Sequence, residues 1–461
     1  MKVKGRKFKI DLSPAQILVL GFLSVILIGS ILLSLPIASN NGESVGFVNA
    51  LFTATSAVCV TGLVVVNTLA HWTLFGQIVI LILIQIGGLG FMTMATAIFI
   101  LIGRKITLKE RLIIQEALNE YTLSGMVRLI IRILIGTLII EGVGALLLAI
   151  RFVPEYGLAR GLFVSIFHSV SAFCNAGFDI IGGSSLTPYS GDLLVNFIII
   201  TLIILGGLGF TVWWDIIRAG KLKIENNLSM KRFFQKLTLH TKLVLSISAT
   251  LITLGFVFFF IVEFNNPNTL GAMSLKDKLI NALFQAVTPR TAGFNTFDLT
   301  ELTDASKLMT IIQMFIGGSP AGTAGGIKTV TMGVLAVSVI SVIRGHERTE
   351  IFNRTIPRDV IRRALAVLFI SVSLVIGVTM ILSLTETGDF MDIFFESISA
   401  FATVGLSLDV TSSLSFLGKI IIAITMFIGR LGPVTMALAF SLRGSKRKGQ
   451  IKKPEEKVMV G

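Results

Sequence analysis

Charge is scarce in this sequence. Only 14% of its 461 residues are Asp, Glu, Lys or Arg, 53% are hydrophobic and the mean hydropathy is +0.86, a balance that excludes an ordinary soluble domain. Cysteine is nearly absent: Cys59 and Cys174 stand alone, which excludes a disulfide-built scaffold. Each lies one residue before a recurring glycine triplet and reads as a small buried packing residue, with a disulfide or metal pair the weaker reading. The four histidines, His71, His168, His240 and His346, are scattered and no nucleophile–base constellation accompanies them, so a membrane enzyme finds little support. A phosphate-binding loop is missing too. Gly325-Gly-Ile-Lys-Thr329 comes near that pattern but follows an apolar span, not a strand.

What the sequence does have is long apolar runs. The first, 17–35, lacks the short core and small-residue cleavage site of a removable leader and reads as a retained span. The net charge of +14 comes from basic residues at alternate ends of the runs, so orientation in a bilayer explains it better than nucleic acid does. Lys2, Lys4, Arg6, Lys7 and Lys9 precede the first span. Arg104, Lys105, Lys109, Arg111, Arg128 and Arg132 follow the second, and further basic groups lie in 218–242, 344–363 and 443–457. The intervening connections carry acids such as Glu43, Glu386, Asp389 and Asp392; Arg151, Arg160, Lys276 and Lys278 are the exceptions. This pattern predicts a multi-pass membrane protein with both termini cytoplasmic and no nucleic-acid partner.

A fourfold repeat organises the chain. Phe52-Thr-Ala-Thr-Ser-Ala-Val-Cys-Val-Thr-Gly62, Phe167-His-Ser-Val-Ser-Ala-Phe-Cys-Asn-Ala-Gly177 and Phe395-Glu-Ser-Ile-Ser-Ala-Phe-Ala-Thr-Val-Gly405 share one design, and Phe284-Gln-Ala-Val-Thr-Pro-Arg-Thr-Ala-Gly293 is a copy one residue shorter. The four glycines are 115, 116 and 112 residues apart. Each run sits between two apolar spans and is too short to cross a bilayer of about 30 Å. The reading is a pore loop: a short helix enters part way and a Gly-containing strand returns with its carbonyls toward an axis. Helix-packing or turn glycines are the alternative. The predicted fold is an all-α polytopic membrane protein of four tandem membrane-pore-membrane repeats around one pseudo-fourfold pore, with eight full spans. The repeats run over 14–125, 126–241, 242–358 and 359–442, between a basic N-terminus 1–13 and a basic tail 443–461. Asp179, Asp298, Glu301, Asp304, Glu396 and Asp409 are read as outer-mouth charges, or equally as ordinary solvated loop charges.

The second span of every repeat is interrupted. Gly87-Gly-Leu-Gly-Phe91 and Gly206-Gly-Leu-Gly-Phe210 read as kinks or close-packing sites. The third interruption, Phe315-Ile-Gly-Gly-Ser-Pro-Ala-Gly-Thr-Ala-Gly-Gly-Ile-Lys328, holds five glycines and a proline, which a regular helix does not tolerate. The fourth, Gly429-Arg-Leu-Gly-Pro433, places Arg430 deep in a span, where an arginine is costly and tends to face a pathway. The loop 317–326 and Arg430 are read together as a gate; a structural break and an arginine that staples its own helix are the alternatives.

With these loops, the broken third span and Arg430, the sequence resembles the Trk/Ktr/HKT superfamily of potassium transporters, most closely its bacterial KtrB-type membrane subunits. The resemblance covers nearly the whole chain. It implies potassium uptake through a gated, channel-like pore, and a filter made of Val60, Thr61, Gly62, Asn175, Ala176, Gly177, Thr291, Ala292, Gly293, Thr403, Val404 and Gly405 around K+. It implies a gate of Gly317, Gly318, Ser319, Gly322, Thr323, Gly325, Gly326 and Arg430. A homodimer, a cytosolic ring of RCK-type (KtrA-type) subunits that bind ATP or ADP, and Na+ as a candidate activator also follow from it, with no cofactor in this chain. In that family a serine at the first filter glycine accompanies sodium permeation, so Gly62 favours potassium; the shorter third loop and the non-identical triplets depart from strict symmetry. The competing reading is a secondary transporter coupled to Na+ or H+. Glu141 is its main candidate carboxylate, unless it pairs with a basic neighbour.

Overall fold

A computed structural model describes residues 13–102, 106–118, 125–182 and 185–440. The basic termini, Arg104 and Lys105 lie outside the described residues. Four times along the chain a leading helix is followed by a short helix and then by a return helix that is broken. The leading helices are Pro14–Leu33, Met126–Tyr156, Leu239–Val262 and Arg358–Thr385. All four are long and apolar enough to cross a membrane. The short helices, Phe47–Cys59, Leu158–Cys174, Leu275–Val287 and Phe390–Ala402, have at most 17 residues, about 25 Å at 1.5 Å per residue, and fall short of the apolar core. The Ser274 hydroxyl accepts the Asp277 N–H at 3.2 Å and starts the third of them.

Each return helix opens on a capping side chain that is also tied to the end of its own leading segment. The Thr73 N–H and hydroxyl donate to the Ala38 and Ile37 carbonyls at 2.9 and 2.7 Å. Arg151 pairs with Asp192 at 2.8 Å. The Thr303 N–H and hydroxyl reach Glu263 at 3.2 and 2.7 Å, and those of Ser415 reach Glu386 at 2.8 and 2.5 Å. Two more of the outer basic exceptions, Arg160 and Lys278, also have partners. Arg160 donates to the Gln77 side chain at 3.2 Å, and Lys278 donates to the Phe264 carbonyl at 2.8 Å beneath that residue's ring.

The return helices are where the structure departs from expectation. Gly87-Gly-Leu-Gly-Phe91 and Gly206-Gly-Leu-Gly-Phe210 are both bends and close-packing sites, and the bends are sharper than a kink: Leu74–Leu89 meets Phe91–Ile100 at 98°, and Leu193–Leu208 meets Phe210–Glu225 at 96°. The turning residue is the last glycine of the motif, Gly90 (φ 84°), Gly209 (91°) and, in the fourth unit, Gly432 (86°), a conformation closed to L side chains. The first glycine has a different task. A Cβ on Gly87, Gly206 or Gly429 would collide with the carbonyl of Val58, Phe173 or Phe401 respectively, close to the end of the unit's own short helix. By length and apolarity alone, four single helices among the described residues are able to cross a membrane, or up to six spans with each bent pair taken as one.

Candidate functional site: a ring of four glycine segments

Each short helix stops just before its glycine. Val60, Asn175 and Thr403 follow at once in the left-handed region (φ 57°, 59° and 52°), and Gly62, Gly177 and Gly405 are again at positive φ (92°, 68° and 91°). Two such positions around one middle residue make a backbone that neither helix nor strand provides. For β-branched Val60 and Thr403 it costs about 1–3 kcal/mol each, which the surrounding packing must offset. The third segment reaches the same form by another route. Its helix ends at Val287, and Thr288, Pro289 and Arg290 turn once more, with the Arg290 N–H donating to the Val287 carbonyl at 3.0 Å, before Thr291 (φ 71°) and Gly293 (φ 78°). The missing residue is absorbed ahead of the triplet.

Four hydroxyls that the sequence reading passed over fix these turns. Ser56 accepts the Gly62 N–H at 3.0 Å and Ser399 the Gly405 N–H at 3.1 Å. Ser171 donates to the Phe178 carbonyl at 2.7 Å and Thr288 to the Phe294 carbonyl at 2.5 Å. The signal was present: a Ser or Thr stands six residues before the glycine in three copies and five before it in the short one.

The segments close on one another in cyclic order. A Cβ on Gly62 would lie 2.5 Å from the Ala176 carbonyl oxygen, one on Gly177 2.8 Å from that of Ala292, and one on Gly293 2.5 Å from that of Val404. One on Gly405 would overlap the Thr61 carbonyl. Each glycine therefore presses its backbone on the middle residue of the next segment, and the fourth meets the first. The ring holds no carboxylate. Its oxygens are backbone carbonyls, the Asn175 side-chain amide and the hydroxyls of Thr61, Thr291 and Thr403, these three buried without a hydrogen-bond partner. Neutral oxygen donors without fixed charge suit a dehydrated monovalent cation better than Ca2+ or Mg2+, which draw on carboxylates.

Residues 316–328 lie against this ring. The Ser319 and Thr323 N–H groups donate to the Gly207 and Gly206 carbonyls at 2.9 and 3.3 Å, and the Phe210 N–H donates to the Ala321 carbonyl at 2.9 Å. The loop is thereby sewn to the break in the second return helix, while Gly325 abuts Thr403 on its other side. Ser319 and Thr323 are fully buried. Arg430 replaces the second glycine of the Gly-Gly-Leu-Gly motif, and its guanidinium donates to the Thr323 carbonyl in the loop and to the Gly87 and Gly88 carbonyls at the first break, the last at 3.3 Å. It bridges separate units and does not staple its own helix. Lys328, which the sequence reading treated only as part of a phosphate-loop lookalike, donates to the Ala324 carbonyl at 2.6 Å and ties the end of the loop back on itself.

One acidic assignment needs correction, and for a second the structure removes an alternative. Glu396 is fully buried and accepts hydroxyls from Ser407, at 2.7 Å, and Thr411; it braces the strand leaving the fourth segment and is not a mouth charge. Glu141 meets no base among the described residues. The Gln85 amide donates to it at 3.1 Å and the Cys174 thiol lies 3.8 Å away, directly behind Asn175. Cys59 and Cys174 are free and buried.

Fold and ring together define a multi-pass helical membrane protein built for cation passage. Residues 9–448 match the TrkH family, described as a cation transport protein. The chain is 41% identical to the potassium/sodium uptake protein NtpJ of Enterococcus hirae over the full length of both, and 44% identical to the Ktr system potassium uptake protein B of Bacillus subtilis over 97% of each. The potassium transporter TrkH of Vibrio parahaemolyticus has a similar fold, with a TM-score of 0.72 at 18% identity over 95% of this chain and 87% of that one. The chain belongs to the Trk/Ktr superfamily of cation transport proteins, to its KtrB type.

Proposed function

We propose that this chain takes up potassium across the bacterial inner membrane, passively and driven by the membrane potential, through one gated pore in each protomer. The observation that carries this reading is the cyclic contact of Gly62, Gly177, Gly293 and Gly405 with the carbonyls of the next segment. Residues 60–62, 175–177, 291–293 and 403–405 act as the filter, replacing the ion's hydration shell with fixed oxygens. The short helices aim their C-terminal ends at the ring, and the partial negative charge there favours a cation without binding it too tightly to leave.

Residues 317–326 with Arg430 act as the gate. Arg430 places a positive charge beside the path and holds the loop by the Thr323 carbonyl; releasing that bond lets the loop withdraw. The four repeats run over 14–125, 126–241, 242–358 and 359–442, and their crossings leave both termini in the cytoplasm. There a nucleotide-binding RCK-type ring controls opening of a homodimer through ATP or ADP. The test is ion flux into proteoliposomes at an imposed potential, comparing potassium with sodium for the wild type and Gly62→Ser. Potassium flux that follows the potential, with relative sodium entry rising in the variant, is expected. Flux that needs a second ion's gradient and ignores Gly62 would instead favour a coupled transporter.

A further inference from the structure

On the basic side of the molecule a cavity of about 810 Å³ opens between the second and third units. Arg132, near the start of Met126–Tyr156, lines it together with Arg218 and Lys221 of Phe210–Glu225, and a further wall is Pro320 and Ala321 of the intramembrane loop. Arg218 is already matched. Asp215 pairs with it at 2.6 Å, and the other Asp215 oxygen accepts the Thr238 N–H and hydroxyl at 2.8 and 3.0 Å.

Arg132 and Lys221 have no acidic partner among the described residues. Arg132 lies over the Trp214 ring, 5.6 Å from its centroid, and the buried Trp214 Nε1–H has no acceptor. The rule that puts basic residues at cytoplasmic ends accounts for charge at this level. It does not account for two cations without an acidic partner lining a single concavity, next to an indole N–H that is buried without an acceptor. Their shared complement is a compact anion with several acceptor oxygens, and arginine and lysine together suit phosphate.

We infer that this cavity binds a phosphate group, carried by an anionic phospholipid or by a soluble phosphate, and that its occupancy acts on the intramembrane loop. The connection is short. The Ala321 carbonyl accepts the N–H of Phe210, the first residue of the helix that carries Arg218 and Lys221, and the Pro320 carbonyl abuts Gly209 at the break. An anion drawn between Arg132 and Lys221 pulls that helix toward Met126–Tyr156, and the loop moves with it. The effect on flux rests on the gate reading above; the binding does not.

The test reads the two separately. Full-length protein with Arg132→Gln and Lys221→Gln together, and a milder Trp214→Phe variant that removes the indole donor and part of the ring under Arg132, are compared with the wild type. Native mass spectrometry follows retained phosphatidylglycerol and added inorganic phosphate. Potassium flux is measured in phosphatidylcholine vesicles, with phosphatidylglycerol included or with inorganic phosphate added. The expected result is a several-fold loss of bound anion in the double variant, a smaller loss in Trp214→Phe, and flux that responds to the anion in the wild type alone. A response to phosphatidylglycerol only identifies a lipid headgroup, and an equal response to inorganic phosphate a soluble source. Equal binding by wild type and double variant overturns the site, and altered binding with unaltered flux overturns its action on the loop. A wild type that passes no potassium in any vesicle defeats the gated-pore reading while the binding comparison still judges the cavity.

Discussion

At the scale of single residues, the ring leaves no slack. Gly405 presents its missing side chain to the Thr61 carbonyl, a rigid backbone atom, and sits at φ 91°, where any Cβ is strained by about 1–3 kcal/mol. Gly405→Ala is therefore expected to insert, to melt at a lower temperature and to lose potassium flux; flux kept at wild-type selectivity would contradict the ring as a path. Arg430 is the opposite case, a side chain whose removal frees rather than crowds. Its donors hold the Thr323 carbonyl across the units, so Arg430→Ala is expected to raise flux several-fold in vesicles with no partner ring present. Unchanged or abolished flux in properly inserted protein would count against the gate. Arg430→Lys should fall between, because one ammonium cannot span the Thr323 and Gly87 carbonyls as a guanidinium fork does.

At the scale of elements, the units are held at their outer ends by polar ties, and one of these titrates. Glu263 caps the end of Leu239–Val262 and meets the start of Asp304–Phe315. Burial pushes its carboxyl up, but hydrogen bonds from the Ser306, Thr269 and Thr303 hydroxyls and the Asn266 amide outweigh that and leave it below the ordinary glutamate value of about 4.3. A depressed folded value means the carboxylate stabilises fully above the unfolded value and loses that contribution as pH falls through the folded one. The wild-type melting temperature should thus fall with acidification below about pH 4.3 in this part of its profile. Glu263→Gln should start lower, by about 1.5–3 kcal/mol for lost bonds to a charged acceptor, and lack that component. Superimposable profiles for the two proteins would remove Glu263 as a tie.

At the scale of the whole molecule, much was legible because four copies repeat one error-prone signal. A single x-x-Gly-x means nothing, but Gly62, Gly177, Gly293 and Gly405 at one period located the ring, and Arg430 stood out by its cost in an apolar span. What stayed hidden were contacts across long separations. Nothing local links Arg430 to the Gly87 carbonyl or shows Glu396 turned toward Ser407 and Thr411. The right angles at Gly90 and Gly209 were equally invisible, since composition shows that glycine permits a bend and not how far it turns.

Topology is the remaining inference drawn from charge alone, and it is open to a direct check. Cys59 and Cys174 are buried, so the native protein should resist a membrane-impermeant thiol reagent and single exposed cysteines can report their side. Glu43 and Glu301 lie in connections assigned to the outside, Glu225 and Glu347 in those assigned to the cytoplasm, and all four are exposed. Glu43→Cys and Glu301→Cys are expected to label in intact cells, and Glu225→Cys and Glu347→Cys only after the membrane is opened. Labelling of Glu225→Cys from outside would place a basic segment on the wrong face. Because the four units alternate together, that one result would invert the membrane orientation of the ring, the loop and the phosphate cavity at once.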